Sequence, residues 1–477
     1  MLVLADFAGE VSFKEQAFEN ERKVVVEEWR ASLGSSERQR EKLIKIHFAN
    51  SKYAERKPIG KVDLIKTFEP QRARDFYYEW YRPELMAVIA IGDFEKENIV
   101  SLIKEHFSSL TNPTQARPRE VYSVPLTTKD SVHFVTDTEE TTTLLRVLFN
   151  HKAKLFRTQG DFRDDVVLGM YLELLTQRLS EIALQKDPPF VAAGIYDDQL
   201  TLKNTQYTLV FIPLNEDLER GLQAILTEIE RIRQHGFLNS ELERIKDDYL
   251  SYYQKIYDNR NDQDSTFFLE DFIDRFVSKE AITSIVFDYE LIKAILPTIT
   301  TKDLKTITDQ WFLDEGRKIV ITAPETSLDS LPTPDDLLAL LNQSSQNQLA
   351  AYEEDDVVQR LLLEVSPVPS KIIYEKYHKQ LDTTEWLLAN GVRVVLKSTD
   401  FKKNSITFSA QSPGGTSLVS DEFFVSADKA IDVVTYSGVG GFNAIELDKK
   451  LSGKNIYIEP KIFSRSEGMS GSSTVED

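Results

Sequence analysis

The chain of 477 residues carries 57 basic and 77 acidic side chains, giving a formal net charge of -20. This negative balance argues against binding nucleic acid through bulk charge. The absence of cysteine excludes disulfides and thiolate metal sites. No apolar run approaches the roughly 18 residues that favour a membrane span, so we expect none. The length favours about three domains.

The first region, residues 1–112, is predicted to be largely helical. Apolar periodicity and capping residues indicate helices over 18–33, 35–51, 72–81 and 95–107. Between the last two helices, the continuous apolar run 85–92 is predicted to be a buried strand. At the start of the chain, no basic segment precedes a long apolar core, so no signal peptide is visible. We interpret 1–112 as the C-terminal part of a first domain.

A second α+β domain is predicted over residues 119–324. Strand patterns lie at 131–136, 142–150, 191–196, 207–213 and 318–322, and long helical patterns include 164–184, 216–234 and 239–258. Four or five strands with long helices on one side would bury one shared core.

The pattern changes again after residue 324. Residues 325–380 contain prolines and a Gln/Ser/Asn stretch and are predicted to be an interdomain linker. Residues 381–477 are predicted to begin a third domain, opening with a hairpin over 386–397 that turns at Asn390-Gly391. The segment 455–459 has the pattern of a strand without an obvious partner, and the ending at Asp477 is typical of a truncated domain.

Two glutamates in the first helix indicate a candidate site. At about 100° per residue, Glu21, Val24, Val25 and Glu28 fall on one helix face. Carboxylates embedded in an apolar stripe would be buried, and buried carboxylates are costly unless neutralised, paired or metal-bound. Taken alone, two glutamates seven residues apart are also typical of a solvated helix face.

Six segments, in order along the chain, carry a resemblance to a known family. They are ERKVVVEEWR (21–30), SKYAERKPIG (51–60), FYYEWYRPELMAVIAIGDF (76–94), RLSEIALQKDPPF (178–190), LANGVRVVLK (388–397) and SPGGTSL (412–418). Together they resemble the pitrilysin/insulinase family of zinc metallopeptidases, in particular its bacterial one-chain members. The resemblance implies an α+β fold of tandem two-layer α/β-sandwich domains, with the first and last domains incomplete here.

The resemblance also implies a chemistry. Family members hydrolyse peptide bonds with a zinc-activated water, and both histidines of an HxxEH motif bind the zinc together with a distal glutamate. The match implies that Glu28 is this distal ligand and that Glu21 is a supporting carboxylate that orients the site. A peptide or protein substrate and a periplasmic or otherwise extracytoplasmic location are implied in the same way.

The rest of that metal site is missing from the sequence. Only 27 residues precede Glu28, and no two of the six histidines are three to five positions apart. The segment Leu102-Ile103-Lys104-Glu105-His106 has leucine where the first histidine belongs. In the third region the corresponding positions are Lys429, Ala430, Ile431, Asp432 and Val433, which supply no histidine. We therefore assign no catalytic residue, and we expect the zinc site to be incomplete in this chain.

Two hypotheses follow. In the first, the chain is part of an active zinc endopeptidase and supplies Glu28 but not the HxxEH motif, which a complementing half would provide. In the second, the chain is a non-catalytic partner or scaffold subunit of such a protease. The presence of both Glu21 and Glu28 favours the first, because a scaffold has no need of an acidic pair.

Overall fold

The computed structural model describes residues 1–343, 348–354, 357 and 359–477. They form a mixed α/β fold of sheets with flanking helices, which confirms the predicted class. The helices are α1 Leu2–Gly9, α2 Glu15–Ser32, α3 Ser35–His47, α4 Val62–Thr67, α5 Pro70–Trp80, α6 Lys96–Phe107, α7 Gln159–Ala183, α8 Leu218–His235, α9 Asn239–Asp258, α10 Ser265–Ser278, α11 Ile285–Ile295, α12 Thr301–Trp311, α13 Pro334–Gln343, α14 Phe424–Ser437 and α15 Ala444–Leu451. The strands are β1 Ser131–Asp137, β2 Leu144–Lys152, β3 Phe190–Thr201, β4 Asn204–Pro213, β5 Lys318–Pro324, β6 Ile372–His378, β7 Thr383–Leu388, β8 Arg393–Leu396, β9 Ile406–Pro413, β10 Ile456–Ile462 and β11 Ser466–Ser473.

The described residues divide into two compact units that each draw on several chain segments. Unit 1 contains Met1–Phe237, Asp264–Ile282 and Thr300–Ala351. Unit 2 contains Leu238–Gln263, Thr283–Ile299 and Tyr352–Asp477. This division does not test the domain boundaries inferred from the sequence, which remain predictions.

A five-stranded sheet is the framework of unit 1. Its strand order is β1-β5-β2-β4-β3, with β1 and β5 parallel and the other neighbours antiparallel. The inner strand β5, between β1 and β2, is buried almost throughout, as its run of Ile319, Val320 and Ile321 dictates. All five predicted strands of this region are therefore confirmed, and they belong to a single sheet.

Long helices cover one face of this sheet. The helix α7 begins at a capping box formed by Thr158 and Asp161, and it buries one apolar stripe. Next to it, α8 approaches β4 closely, because a Cβ on Gly221 would lie 2.4 Å from the Phe211 ring. Where these helices meet, Arg178 pairs with Glu228 at 2.9 Å, and each side chain is only 2% exposed.

The helix α3 covers the opposite face of the same sheet. Its Leu43 and Ile46 pack against a buried cluster of Val135, Leu148 and Val320. At the rim, the Arg38 guanidinium donates to both carboxylate oxygens of Asp137, at 2.6 and 2.7 Å. This pairing holds the pKa of Asp137 well below its ordinary value. The N-terminal helical region is thus fastened to the sheet through α3.

Unit 2 contains two three-stranded antiparallel sheets, ordered β6-β7-β8 and β10-β11-β9. The predicted hairpin at Asn390-Gly391 is confirmed, since β7 and β8 pair across it and Gly391 has φ +88°. Gly tolerates this left-handed conformation without steric cost. The prediction that 455–459 lacks a partner is wrong, because β10 pairs along its whole length with β11.

The apolar run 85–92 and the predicted linker both differ from expectation. The run is not a strand, because among the described residues no neighbouring strand pairs with it and its backbone forms no ladder.

In the linker, Glu354 is held by Arg244 at 2.7 Å and by Lys449 at 3.3 Å, all within unit 2. Although burial opposes ionisation, these partners lower the pKa of Glu354 to about 2. Part of the predicted linker is therefore anchored.

The buried pair in unit 1 gives a stability prediction. Replacing either Arg178 or Glu228 by Ala breaks this buried ion pair, and we expect the free energy of unfolding to fall by about 3 kcal/mol. Replacing both by Met removes the two charges together and should cost less than either single change. Urea denaturation of the three variants tests this, and equal losses in the single and double variants would contradict it.

Candidate functional site

The candidate site lies on α2. Its sequence is rich in Glu, Gln, Lys, Arg and Ala, which are good helix formers. The helix ends at Ser32, followed by Leu33 in an extended conformation. One face of α2, made by Phe18, Arg22, Val26 and Trp29, is partly or fully buried. These positions recur at the helical period, so they lie on one side of the helix.

Arg22 fixes the rotation of α2 about its axis. Its side chain is only 11% exposed and pairs with Glu19 at 3.1 Å. The guanidinium donates to the backbone carbonyl oxygen of Phe68 at 2.7 Å and to that of Ile65. It also lies 4.9 Å from the ring centroids of both Phe18 and Phe68. Two carbonyl acceptors and two aromatic faces leave this side chain little freedom.

This arrangement turns Glu21 and Glu28 outward. Both side chains are exposed, and Val24 between them is 57% exposed. The prediction that the two carboxylates are buried is therefore wrong. The physical reason is that the packing face is centred on Arg22 and Val26, roughly 130° around the helix from Glu21 and Glu28. The spacing identified two residues on one face, but it could not show which face packs.

The glutamates of α2 differ in their partners. Glu19 pairs with Arg22, and Glu27 pairs with Arg30 one turn away. Among the described residues, neither Glu21 nor Glu28 has an ion-pair or hydrogen-bond partner. Their carboxylate oxygens are free to bind a group from outside this helix. The role of Arg22 was not predicted from the sequence, although its i,i+4 spacing from Phe18 beside an apolar stripe is a usable signal.

The N-terminal helical region exposes several large hydrophobic side chains. Within residues 1–107, large exposed hydrophobic side chains include Leu2, Val3, Leu4, Phe7, Leu64, Phe76, Tyr78, Tyr81 and Phe94. Large exposed apolar surfaces usually mark contact with another polypeptide, a membrane or a ligand. No helix among the described residues is long and apolar enough to cross a membrane.

The histidines do not complete a metal site around Glu28. Two of them have contacts on the five-stranded sheet: His47 lies 2.6 Å from the Gln206 amide oxygen, and the His151 ring packs at a tilt against Trp311. In the part of the chain that the structure describes, no group of three or more His, Cys, Asp or Glu residues could hold a metal ion. A catalytic zinc site needs three protein ligands. These residues alone therefore do not fit a zinc ion.

Two other segments that resemble the position of an HxxEH motif also lack its histidines. His106 is in the last turn of α6, and Leu102 takes the place of the first histidine one turn earlier. Lys429 and Val433 lie on α14, where neither can serve as a nitrogen ligand of the histidine type.

Comparison with known proteins shows which proteins this chain is similar to. Residues 67–249 match the model described as the peptidase M16 inactive domain. Over 442 residues the chain is 26% identical to a zinc protease PQQL-like protein of Arabidopsis thaliana, covering 92% of this chain and 43% of that protein. Over 479 residues it is 25% identical to the probable zinc protease PqqL of Haemophilus influenzae, covering 100% of this chain and 51% of that protein.

The fold is also found among solved structures. The periplasmic protease PqqL from Escherichia coli matches with a TM-score of 0.69 at 21% identity, over 100% of this chain and 52% of that one. The chain thus spans about half the length of the relatives that it matches.

The exposure of the two glutamates gives a second stability prediction. Because Glu21 and Glu28 make no contact that the fold needs, Glu21→Gln and Glu28→Gln should each change the free energy of unfolding by no more than about 0.5 kcal/mol. Arg22→Ala should cost about 2 kcal/mol, since it removes charge-assisted hydrogen bonds to two backbone carbonyls. Chemical denaturation of the three variants tests the contrast. A large loss in either glutamine variant would show that the carboxylate has a structural role.

Proposed function

We propose that this chain, as a member of the M16 (pitrilysin/insulinase) peptidase family, is part of a zinc-dependent endopeptidase and contributes the carboxylate of Glu28 to the zinc site. A segment carrying HxxEH, from another part of the same protein or from a complementing partner, supplies the two histidines and the general base. This chain supplies neither, so no catalytic residue is assigned to it.

One observation carries this proposal. Of the four glutamates between residues 19 and 28, the two that the family motif selects are the two whose carboxylates are free, whereas Glu19 and Glu27 pair with arginines. Seven residues are almost two helical turns, so Glu21 and Glu28 face the same neighbour. Glu28 as ligand and Glu21 as the carboxylate that orients the site fit this geometry.

The exposed apolar surface of residues 1–107 supports the second part of the proposal. Side chains such as Phe7, Val24 and Phe76 lie open to solvent here, and covering them would be favourable by about 25 cal/mol per Å² of apolar surface. The HxxEH-bearing segment is the occupant that would bury them and bring histidines to Glu28.

The substrate and location that we propose follow the relatives. The substrate is a peptide or protein, because the matching proteins from Arabidopsis thaliana and Haemophilus influenzae are named as zinc proteases. The location is periplasmic or otherwise extracytoplasmic, since the solved relative from Escherichia coli is a periplasmic protease.

The test is made in the protein expressed from its own complete reading frame. Glu28→Gln should remove bound zinc, measured by mass spectrometry of the metal, and abolish hydrolysis of an unstructured fluorogenic peptide. Glu21→Gln should lower zinc affinity or activity by roughly 10- to 100-fold, as expected for a group that orients a ligand. Glu27→Gln is the matched control, because it removes the same charge from the neighbouring position of the helix.

Two results would count against the assignment of Glu28 as a zinc ligand. Full zinc content and activity in Glu28→Gln, with the fold intact by circular dichroism, would contradict the ligand assignment. An equal loss in Glu27→Gln would show a general effect of helix charge instead.

The non-catalytic alternative also has an observation in its favour. The matching family model is that of an inactive domain, and the chain carries no HxxEH motif. If the chain is a scaffold subunit, an active complex with an HxxEH-bearing partner should keep its zinc when Glu28 is changed to Gln. Metal analysis of that complex distinguishes the two functions.

A further inference from the structure

The last turn of α3 lies on a polar part of the sheet in unit 1. His47 ends this helix, and its Nδ1 lies 2.6 Å from the side-chain oxygen of Gln206 on β4. Gln206 is fully buried, and its amide nitrogen donates to the side-chain oxygen of Asn150 at 2.7 Å. Since the Gln206 oxygen is then the acceptor, the Nδ1 of His47 carries the hydrogen, and the neutral imidazole satisfies this contact.

A buried cation reaches the same turn. Lys318 on β5 is only 5% exposed, and its Nζ donates to the Ile46 carbonyl oxygen at 2.7 Å. The ammonium therefore lies at the C-terminal end of α3, where the helix dipole favours positive charge. Among the described residues no carboxylate pairs with Lys318 or with His47.

The charged and titratable side chains around the end of α3 come from four strands, from the turn Lys52–Glu55 and from α3 itself. They are Lys318, Arg146, Asp198, His133, Lys52, Glu55 and Lys45. All but Lys318, Arg146 and His133 are exposed, so water screens their charges. The cations Lys318 and Arg146 are buried and half-buried. A proton on His47 would therefore add a third positive charge to a surface that is poorly screened.

The docked position of α3 favours neutral His47. Burial is the main cause that lowers the pKa of His47, and the charges of Lys318 and Arg146 lower it further. The hydrogen bond to Gln206 and the charge of Asp198 act in the opposite direction without reversing the shift. An imidazole on a helix end that has left the sheet is hydrated and has no such preference.

The other end of α3 is held by groups of a different kind. Arg38 pairs with Asp137, whose pKa lies well below its ordinary value, and the Gln39 amide donates to Glu140 at 2.6 Å. That hydrogen bond is the main cause that lowers the pKa of Glu140. Both carboxylates therefore stay ionised between pH 7.5 and 5.5, and only the end of α3 at His47 responds to this range.

We propose that the last turn of α3 is an acid-sensitive fastening between the N-terminal helical region and the sheet. It is closed while neutral His47 donates to Gln206, and it opens when His47 takes up a proton beside Lys318. Two residues, 33 and 34, join α3 to α2, so opening would also loosen the attachment of the helix that carries Glu28. Zinc binding by Glu28 is not required for this behaviour, so either proposal can fail without the other.

Hydrogen exchange at pH 7.5 and 5.5, in the protein expressed from its own complete reading frame, tests the fastening. Dividing each observed rate by the intrinsic rate at that pH gives the opening constant of each amide. Docking is fully favoured above the ordinary histidine pKa of about 6.5 and weakens as the pH falls below it. One such imidazole can raise the opening constant by up to about 10-fold over this range. We expect a rise of roughly 3- to 10-fold for residues 44–48 and a smaller one for residues 35–40.

His47→Gln removes the titrating group. Its amide can still donate to Gln206, so the opening constant of residues 44–48 should be the same at both pH values. His133→Gln is the matched control, because it removes an imidazole from the same sheet face and leaves the contact of His47 in place. This control should keep most of the rise.

Gln206→Glu tests the same contact in the opposite direction. A carboxylate beside the imidazole favours its protonated form, so the rise on acidification should be smaller than in the wild type. An equal rise in this variant would contradict the role of His47. Since Gln206→Glu keeps His47 itself, it tests the fastening even if His47→Gln does not fold.

Three further results would overturn the proposal. They are an unchanged opening constant in the wild type, a rise that persists in His47→Gln, and a rise that disappears only in His133→Gln. Loss of zinc at low pH would act through α2 and would persist in His47→Gln, so the two effects are distinguishable. Amides of α7, on the other face of the sheet, should exchange slowly in every folded variant at both pH values.

Discussion

The rotation of one helix decides what the N-terminal region presents to its surroundings, and Arg22 sets that rotation. A guanidinium held between two phenylalanine rings and bonded to two carbonyl oxygens cannot follow a turn of α2 without losing all of these contacts at once. The carboxylates of Glu21 and Glu28 point outward because Arg22 points inward. The burial of Arg22 and the exposure of Glu21 and Glu28 therefore have the same cause.

This explains why the predicted burial of Glu21 and Glu28 was wrong. Helical periodicity relates positions on a helix to one another, and it correctly placed Glu21 and Glu28 together. It does not reveal which face packs, since Phe18, Arg22, Val26 and Trp29 form an equally regular set. The valines misled the prediction because Val24, though apolar, is 57% exposed. The exposure is understandable if α2 meets a partner that the described residues do not include, as the proposed function requires.

For the fold, too, features set by neighbouring residues were predicted from the sequence, whereas pairings between distant segments were not. Local patterns predicted most helices, the five strands of the unit 1 sheet and the Asn390-Gly391 turn, because turn chemistry and apolar spacing depend on neighbouring residues. Which strands pair with each other could not be predicted in this way. Ser131 of β1 pairs with Lys318 of β5, and no local pattern records that parallel pairing between distant segments. Likewise, the run 85–92 has the apolarity of a strand but lacks the neighbour that would make it one.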